Sequence, residues 1–200
     1  YAGFMGLTYL AMIRVPQGFI PEQDKGYLVV NVQLPDGANL NRTDELIRRL
    51  SAEAREVPGV AHTIDIPGYS TILSTNISNV GGMFVILAPF EERVGNPELT
   101  SSAIMNRLRE KFGAYQEAQA AVFNAPPVEG LGSTGGFKLQ VEDRRNAGLR
   151  ALQGAVQNLA EVGRSDPRLA GLISTFSVTQ PQLYVKIDRE KAKAQGVSLD

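Results

Sequence analysis

The hydrophobic and polar positions along the first half of the chain switch between two periods. Residues 27–34 are rich in β-branched and apolar side chains, and residues 60–66 alternate between apolar and polar, as strands do. Between these two runs, apolar residues recur at helical spacing, at Thr43, Leu46, Ile47, Leu50 and Ala54. Turn residues bound that helix at Pro35-Asp36-Gly37 and Pro58-Gly59. The pattern predicts a strand, a helix and a second strand.

The same pattern continues to residue 124. Residues 83–88 are predicted to form a third strand, and residues 120–124 a short fourth strand. The helix predicted over residues 98–115 has one apolar side, formed by Leu99, Ala103, Ile104, Leu108 and Phe112. The order strand, helix, strand, strand, helix, strand is that of the ferredoxin-like split motif. We therefore predict one ferredoxin-like unit over residues 27–124.

A second, shorter round of the pattern follows a linker. Residues 125–136 are dense in proline and glycine, which is typical of a connection. Beyond it we predict strands at residues 137–142, 172–178 and 183–187, a helix at residues 146–162, and a last helix from Asp188 to about Gly196. This second unit, residues 137–200, lacks a final strand and would leave a sheet edge unpaired. The predicted fold class is α+β, with tandem ferredoxin-like units of which the second is incomplete.

The first 13 residues carry no charge, and a junction with prolines, glycines and mixed charges follows at residues 15–26. A bilayer crossing needs about 20 apolar residues, so this run is too short to span one. It suits the end of a membrane helix, which we predict for residues 1–14. The alternatives are a core helix of a soluble domain and a secretory signal. A signal places basic residues before its apolar run, and here Arg14 comes after it.

Composition narrows the functional classes. With 20 Lys and Arg against 21 Asp and Glu, the net charge is −1, and no basic patch indicates nucleic acid. The absence of cysteine excludes disulfides, thiolate metal sites and cysteine nucleophiles. His62 is the single histidine, and Met83 is not part of a cluster of methionines in the sequence, so we expect structural roles for both and no metal. No catalytic motif is present, and we expect neither an enzyme nor a cofactor.

Six segments, in register along nearly the whole chain, carry a family resemblance. They are residues 16–26 (PQGFIPEQDKG), 32–37 (VQLPDG), 57–60 (VPGV), 83–93 (MFVILAPFEER), 123–136 (FNAPPVEGLGSTGG) and 187–199 (IDREKAKAQGVSL). Together they resemble the second periplasmic loop of resistance-nodulation-division multidrug efflux transporters of the acriflavine-resistance type.

The resemblance implies a trimeric, proton-driven transporter of the Gram-negative inner membrane, with this segment facing the periplasm. Residues 1–14 would end its seventh membrane helix. Residues 27–124 would form the first porter subdomain of the C-terminal half, and residues 137–200 would begin the second. Apolar or amphiphilic drugs would enter a cleft between them. A periplasmic adaptor and an outer-membrane channel would complete the export path.

The polar, glycine-bounded stretch at residues 68–82 is predicted to be a loop. A 15-residue connection between strands is usually functional or mobile. Gly68, Gly81 and Gly82 would act as hinges, since glycine tolerates wide changes of φ and ψ. The resemblance implies that this loop separates an outer from an inner drug pocket, with Tyr69 and Ile72 as substrate contacts. The family often has Phe where Tyr69 stands. The alternative is a mobile surface loop.

Further candidate substrate contacts come from the resemblance. Phe84 and Phe123 align with positions that line drug pockets, although a strand phenylalanine also suits core packing. Asn31 lies near a position that is apolar in familiar members. Phe176 lies near a position that is often Arg, which would weaken contacts to anionic drugs. Glu129 would lie at the cleft mouth and attract cationic drugs, or be a solvated loop carboxylate.

Two functions of other classes stay open at this point. One is a non-catalytic periplasmic docking or assembly module of a membrane complex. The other is a small ferredoxin-fold hydrolase of the acylphosphatase kind. That hydrolase needs an arginine in a glycine-bearing anion loop after the first strand, and Arg42 is distant from such a loop.

Overall fold

The structure is a computed structural model that describes residues 1–14, 23–127, 135–166, 169, 172–179 and 186–198. The chain divides into two compact units, Tyr1–Gln140 and Val141–Asp200. The first unit contains helix α1 (Ala2–Arg14) and a mixed α+β body. The second contains helices α5 (Leu149–Arg164) and α6 (Arg189–Ala194).

The body of the first unit is built on one antiparallel sheet of four strands. Strand β1 (Tyr27–Gln33) is followed by helix α2 (Leu40–Arg55) and by the neighbouring strands β2 (Val60–Ser70) and β3 (Thr75–Leu87). A short helix α3 (Phe90–Arg93), a 3₁₀ turn (Pro97–Leu99), helix α4 (Ser101–Gly113) and strand β4 (Gln119–Asn124) complete it. The spatial order is β2-β3-β1-β4, and every neighbouring pair is antiparallel.

Helices α2 and α4 pack against one face of this sheet. The Asn39 side chain caps α2 by accepting from the Arg42 backbone N–H at 2.9 Å, and Thr100 caps α4 in the same way through Ala103. Their apolar sides form the core with alternate strand residues, namely Leu28, Val30, Val32, Met83, Val85, Leu46, Ile47, Leu50, Ile104, Leu108 and Phe112. The period-two and helical patterns of residues 27–124 are therefore confirmed as strands and helices.

The prediction of a loop over residues 68–82 is wrong. Strand β2 continues to Ser70 and β3 begins at Thr75, so the turn spans only residues 71–74. Tyr69 pairs with Asn76 and Ser70 with Thr75 after a register shift between Pro67 and Tyr69. Gly68 lies in that shift with a φ of +77°, which is a conformation that favours glycine. The segment is polar in sequence, yet its backbone forms a strand ladder, and Ser70, Asn79 and Val80 within it are buried.

Two predicted strands of the second unit are also wrong. Residues 137–142 and 172–178 are described and form no strand, while residues 183–185 lie outside the described residues. Strands are stable only when other strands and an apolar layer accompany them. Here Phe137 and Leu139 are exposed, so this packing is missing. The two predicted helices are confirmed as α5 and α6, and no residue of α5 is buried.

Helix α1 is apolar and has no buried residue. It is therefore not a core helix of this structure. Among the residues that the structure describes, no helix combines the length and the apolarity that crossing a membrane requires.

Candidate functional site

The sheet has a second face, opposite the helices, which we call the outer face. A single row crosses all four strands on this face, because Ile64 is the partner of Phe84, Phe84 of Val29, and Val29 of Phe123. The Tyr27 ring lies beside Phe84 with 6.2 Å between ring centroids. Phe84 and Phe123 are half-buried, and Ile64 is 53% exposed. The two phenylalanines predicted as drug contacts thus lie in one row, separated by Val29.

The outer face carries no Asp, Glu, Lys or Arg from its four strands. Asp65 is the only such residue within the strands, and it is opposite Met83, whose side chain belongs to the core on the other face. Apolar and aromatic side chains bind through buried area and make few directional demands. The face is chemically suited to uncharged apolar molecules, and a bare ion would lose hydration there without gaining a partner.

The adjacent row of the outer face contains Asn31, another predicted substrate contact, and Gly82, one of the predicted hinge glycines. Asn31 pairs with Gly82 on one side and Ala121 on the other, and its side chain is buried on the outer face. We call residues 70–74 the hairpin tip. The Ser70 hydroxyl donates to Asn31 Oδ1 at 3.5 Å, and the Leu73 backbone N–H donates to Ser70 Oγ at 3.2 Å. The hairpin tip therefore folds back onto the outer face beside Asn31.

Thr71 is the residue of the hairpin tip that contacts the sheet most closely. A Cβ atom on Gly82 would lie 2.5 Å from Thr71 Cγ2 and 3.4 Å from the Tyr69 carbonyl oxygen. Thr71 is only 6% exposed, and its hydroxyl oxygen is buried with no hydrogen-bond partner among the residues that the structure describes. Such an orphaned hydroxyl costs about 1–3 kcal/mol. The closed tip thus combines a close steric fit with one unsatisfied polar group.

The three glycines predicted as hinges differ in their geometry. Gly68 has a positive φ, whereas neither Gly81 nor Gly82 does. A Cβ on Gly81 would overlap the Ile47 Cδ1 atom of α2. The two adjacent glycines therefore provide space on opposite faces of β3. Their role as hinges stays a prediction.

The remaining predicted contacts are spread more widely. Tyr69 is half-buried in β2, and Ile72 is half-buried in the turn. Phe176 is in the second unit and 37% exposed. Glu129 lies outside the described residues. The substrate roles of all these residues stay predictions.

Sequence reasoning missed Tyr27, Val29 and Ile64 as members of the outer face. Their two-residue spacing from Asn31 and Ile66 was visible in the pattern. The register that aligns them with Phe84 and Phe123 is a property of strand pairing, and one strand's sequence does not contain it.

A surface cavity of about 470 Å³ lies elsewhere, between the ends of α2 and α4. It is lined by Glu53, Glu56, Lys111, Ala114 and Tyr115. The Tyr115 hydroxyl donates to Glu53 at 2.5 Å, and this hydrogen bond raises the pKa of Tyr115. Glu56 pairs with Lys111 at 3.6 Å. Because these charged groups largely satisfy one another, we do not place the functional site there. Within the described residues, no group of three or more His, Asp and Glu side chains could hold a metal ion.

Comparison with known proteins gives consistent results. The sequence model described as ACR_tran, the AcrB/AcrD/AcrF family, matches residues 1–200. The chain is 30% identical over 204 residues to the multidrug export protein AcrF of Escherichia coli, covering 100% of this chain and 19% of that protein. It is 29% identical to the multidrug resistance protein MdtF of the same species, covering 94% of this chain and 18% of the relative. It is 27% identical to the toluene efflux pump membrane transporter TtgE of Pseudomonas putida, covering 97% and 18%. The chain thus spans less than a fifth of the length of these relatives.

Proposed function

The chain belongs to the AcrB/AcrD/AcrF family of resistance-nodulation-division multidrug efflux transporters, and from that premise we propose that it forms a drug-binding periplasmic part of such a pump. The family resemblance carried by the six sequence segments is thereby confirmed. The finer functional statements that follow are our proposal.

The connectivity supports assigning the first unit to a ferredoxin-like porter subdomain. Its strands and main helices follow the order strand, helix, strand, strand, helix, strand, and both helices pack on one face of an antiparallel sheet. Residues 27–124 would then be the first porter subdomain of the C-terminal half, and residues 137–200 the beginning of the second.

The observation that carries the proposal is the uncharged aromatic row on the outer face. Phe84 and Phe123 flank Val29, and helices α2 and α4 pack against the opposite face of the sheet. Val29 is itself buried, whereas Ile64, Phe84 and Phe123 keep part of their apolar surface exposed. Exposed apolar patches commonly mark binding sites. We propose that apolar or amphiphilic drugs contact this face, with Asn31, Tyr69 and Ile72 at the end where the hairpin tip lies. Phe176 and Glu129 are further proposed drug contacts, as the family resemblance implies.

Export in this proposal involves no covalent step and no cofactor. Alternating states of the porter subdomains would expose and close the drug site, and proton influx through the membrane part would bias their populations. The working protein would be a homotrimer of the Gram-negative inner membrane, with this segment in the periplasm. It would act with a periplasmic adaptor and an outer-membrane channel.

The test replaces both phenylalanines in the full-length gene product. The Phe84→Ala, Phe123→Ala double variant should weaken binding of an uncharged fluorescent probe, N-phenyl-1-naphthylamine, by about tenfold or more, because two aromatic side chains leave the face. Fluorescence polarisation measures binding, and drug resistance of cells measures export. The matched control is Phe90→Ala, since Phe90 is 60% exposed at the start of α3 and is not on the outer face.

Equal binding and equal resistance in the double variant and the control would contradict the proposal. That result would favour the alternative of a docking or assembly module, in which the outer face contacts protein. A double variant that keeps probe binding but loses its association with adaptor or channel would favour the same alternative.

A further inference from the structure

Arg93 is a buried arginine that joins three separate segments of the first unit. Its side chain is 4% exposed. Its Nη1 donates to Asp24 Oδ2 at 2.6 Å, and its Nη2 donates to Asp24 Oδ1 at 3.1 Å. Nε donates to the Ala88 carbonyl at 2.7 Å, and Nη1 also donates to the Leu99 carbonyl at 3.2 Å. One guanidinium therefore holds the segment before β1, the segment after β3 and the segment before α4.

Asp24 links Arg93 to the backbone of the sheet through Gly26. Its Oδ1 atom accepts from the Gly26 backbone N–H at 2.9 Å, and the Gly26 carbonyl accepts from the Leu87 backbone N–H at 2.8 Å. Gly26 has a φ of +75°, so the chain turns sharply just before Tyr27. The carboxylate thus fixes the turn through which the chain from α1 reaches β1, and ties that turn to the last residue of β3.

The chemistry of this pair favours fixed geometry over net stability. Burying an ion pair costs desolvation that its attraction often fails to exceed, and apolar replacements can be as stable. The two-pronged arrangement of guanidinium and carboxylate, in contrast, defines distance and orientation together. Both carboxylate oxygens of Asp24 and all three nitrogens of Arg93 are engaged. The pair therefore fixes the relative positions of the segments before β1, after β3 and before α4.

We propose that the Asp24–Arg93 pair is the joint through which movement of α1 reaches the sheet that carries the outer face. This inference rests on the proposed export function, in which subdomain states alternate. The chain leaving α1 runs through residues 15–26, and a displacement of α1 is passed on only if the end of that segment is held. With the joint intact, a displacement at Asp24 moves β1, the end of β3 and the start of α4 together. Without it, a displacement at Asp24 no longer moves these three segments together.

The test is Arg93→Lys in the full-length gene product. Lysine keeps the charge and loses the planar fork, so the contacts to Ala88 and Leu99 are lost together with the two-pronged pair. Binding of N-phenyl-1-naphthylamine should stay within about twofold of wild type while the maximal export rate falls by about tenfold or more, as for a step separate from binding. Hydrogen exchange at the Gly26 and Leu87 amides should accelerate by about tenfold, because the Asp24 carboxylate that accepts from Gly26 is no longer held in place by the guanidinium.

The matched control is Arg107→Lys. Arg107 pairs with Glu98 near the same 3₁₀ turn, but its side chain is 33% exposed and Glu98 is 72% exposed. An exposed pair contributes little, so binding, export and exchange should all stay at wild-type values. Asp24→Asn is the second variant, because its amide nitrogen cannot accept from the guanidinium. It should reproduce the loss of export with retained binding.

Three outcomes would overturn the inference. Faster exchange at Gly26 and Leu87 with unchanged export would show that the joint is dispensable. Loss of probe binding in parallel with loss of export, in both Arg93→Lys and Asp24→Asn, would show a merely structural role. Unchanged exchange would show that Arg93 does not hold this turn. Failure of the drug-site proposal would look different, because the Phe84 and Phe123 variant would then retain export while Arg93→Lys still lost it.

Discussion

Adjacent residues of one strand can serve opposite faces of a sheet, and Gly81 and Gly82 do so here. Gly81 leaves room for Ile47 of α2 on the core face, and Gly82 leaves room for Thr71 of the hairpin tip on the outer face. Neither needs a positive φ, so the missing Cβ is what the structure uses. The sequence singles out both positions, but it does not show which neighbours occupy the space, because those neighbours come from other elements.

Gly81→Ala should destabilise the first unit. The new Cβ would overlap Ile47 Cδ1, which is in the buried core, so the helix or the side chain has to shift at a cost of about 1–3 kcal/mol. Urea unfolding measures the change. Gly154→Ala is the control, because nothing lies within 4 Å of its Cβ position in α5 and alanine favours helices. A Gly81 variant as stable as the Gly154 variant would contradict the packing argument.

The carboxylate of Asp24 should make the free energy of unfolding depend on pH in the acidic range. The Arg93 side-chain hydrogen bond holds the pKa of Asp24 below its ordinary value, against the opposing effect of burial. A carboxyl whose folded pKa is lowered stabilises the protein above its unfolded pKa, and this contribution is lost as the pH falls through the folded pKa. The unfolding free energy should therefore decrease below a pH of about 4.

Asp24→Asn isolates that contribution, since it removes the titrating group. The difference in unfolding free energy between wild type and variant should be constant at neutral pH and shrink as the pH is lowered. Asp143, whose pKa is lowered by hydrogen bonds from the Gly148 and Ala147 backbone, is present in both proteins and cancels. A difference that stays constant down to pH of about 2 would contradict the assignment.

At the scale of elements, the strands and helices of residues 27–124 followed from hydrophobic periodicity, because each packs one face on a shared core. The same reasoning failed for the far end of the β2–β3 hairpin. Thr75 and Asn76 have no apolar period, and they are strand residues only because Ser70 and Tyr69 pair with them. Residues 137–142 show the converse, since an alternating pattern forms no strand where no packed sheet is described.

The hairpin tip should respond in opposite directions to two substitutions. Gly82→Ala would push Thr71 away and should accelerate hydrogen exchange at the Leu73 amide. Thr71→Val removes the orphaned hydroxyl while keeping the methyl group that contacts Gly82, and should slow that exchange by about fivefold. Thr75→Val, at an exposed position of β3, is the control for adding a methyl group. The same sign of change in both variants would show that the fit between Thr71 and Gly82 does not hold the tip.

For the whole molecule, the sequence identified the family, since its matching segments span most of the chain. The candidate site was only partly predictable. Phe84, Phe123 and Asn31 were named from the resemblance, and the structure brings all three onto one face. Val29, which lies between the two phenylalanines, was missed, because a valine in a strand looks the same whether it belongs to the core or to the other face. Register separates the two cases, and register is a property of the assembled sheet.

The absence of Asp, Glu, Lys and Arg from the outer side of the four described strands has a consequence for the proposed discrimination between drugs. A face without fixed charge exerts no long-range steering on a ligand, so dissolved salt neither helps nor hinders an uncharged molecule that approaches it. In the proposed drug binding, affinity for this face increases with the apolar area that each molecule buries. It therefore changes gradually from one compound to the next. Such a surface ranks its ligands by size and shape, and small chemical changes to a ligand shift its rank without excluding it.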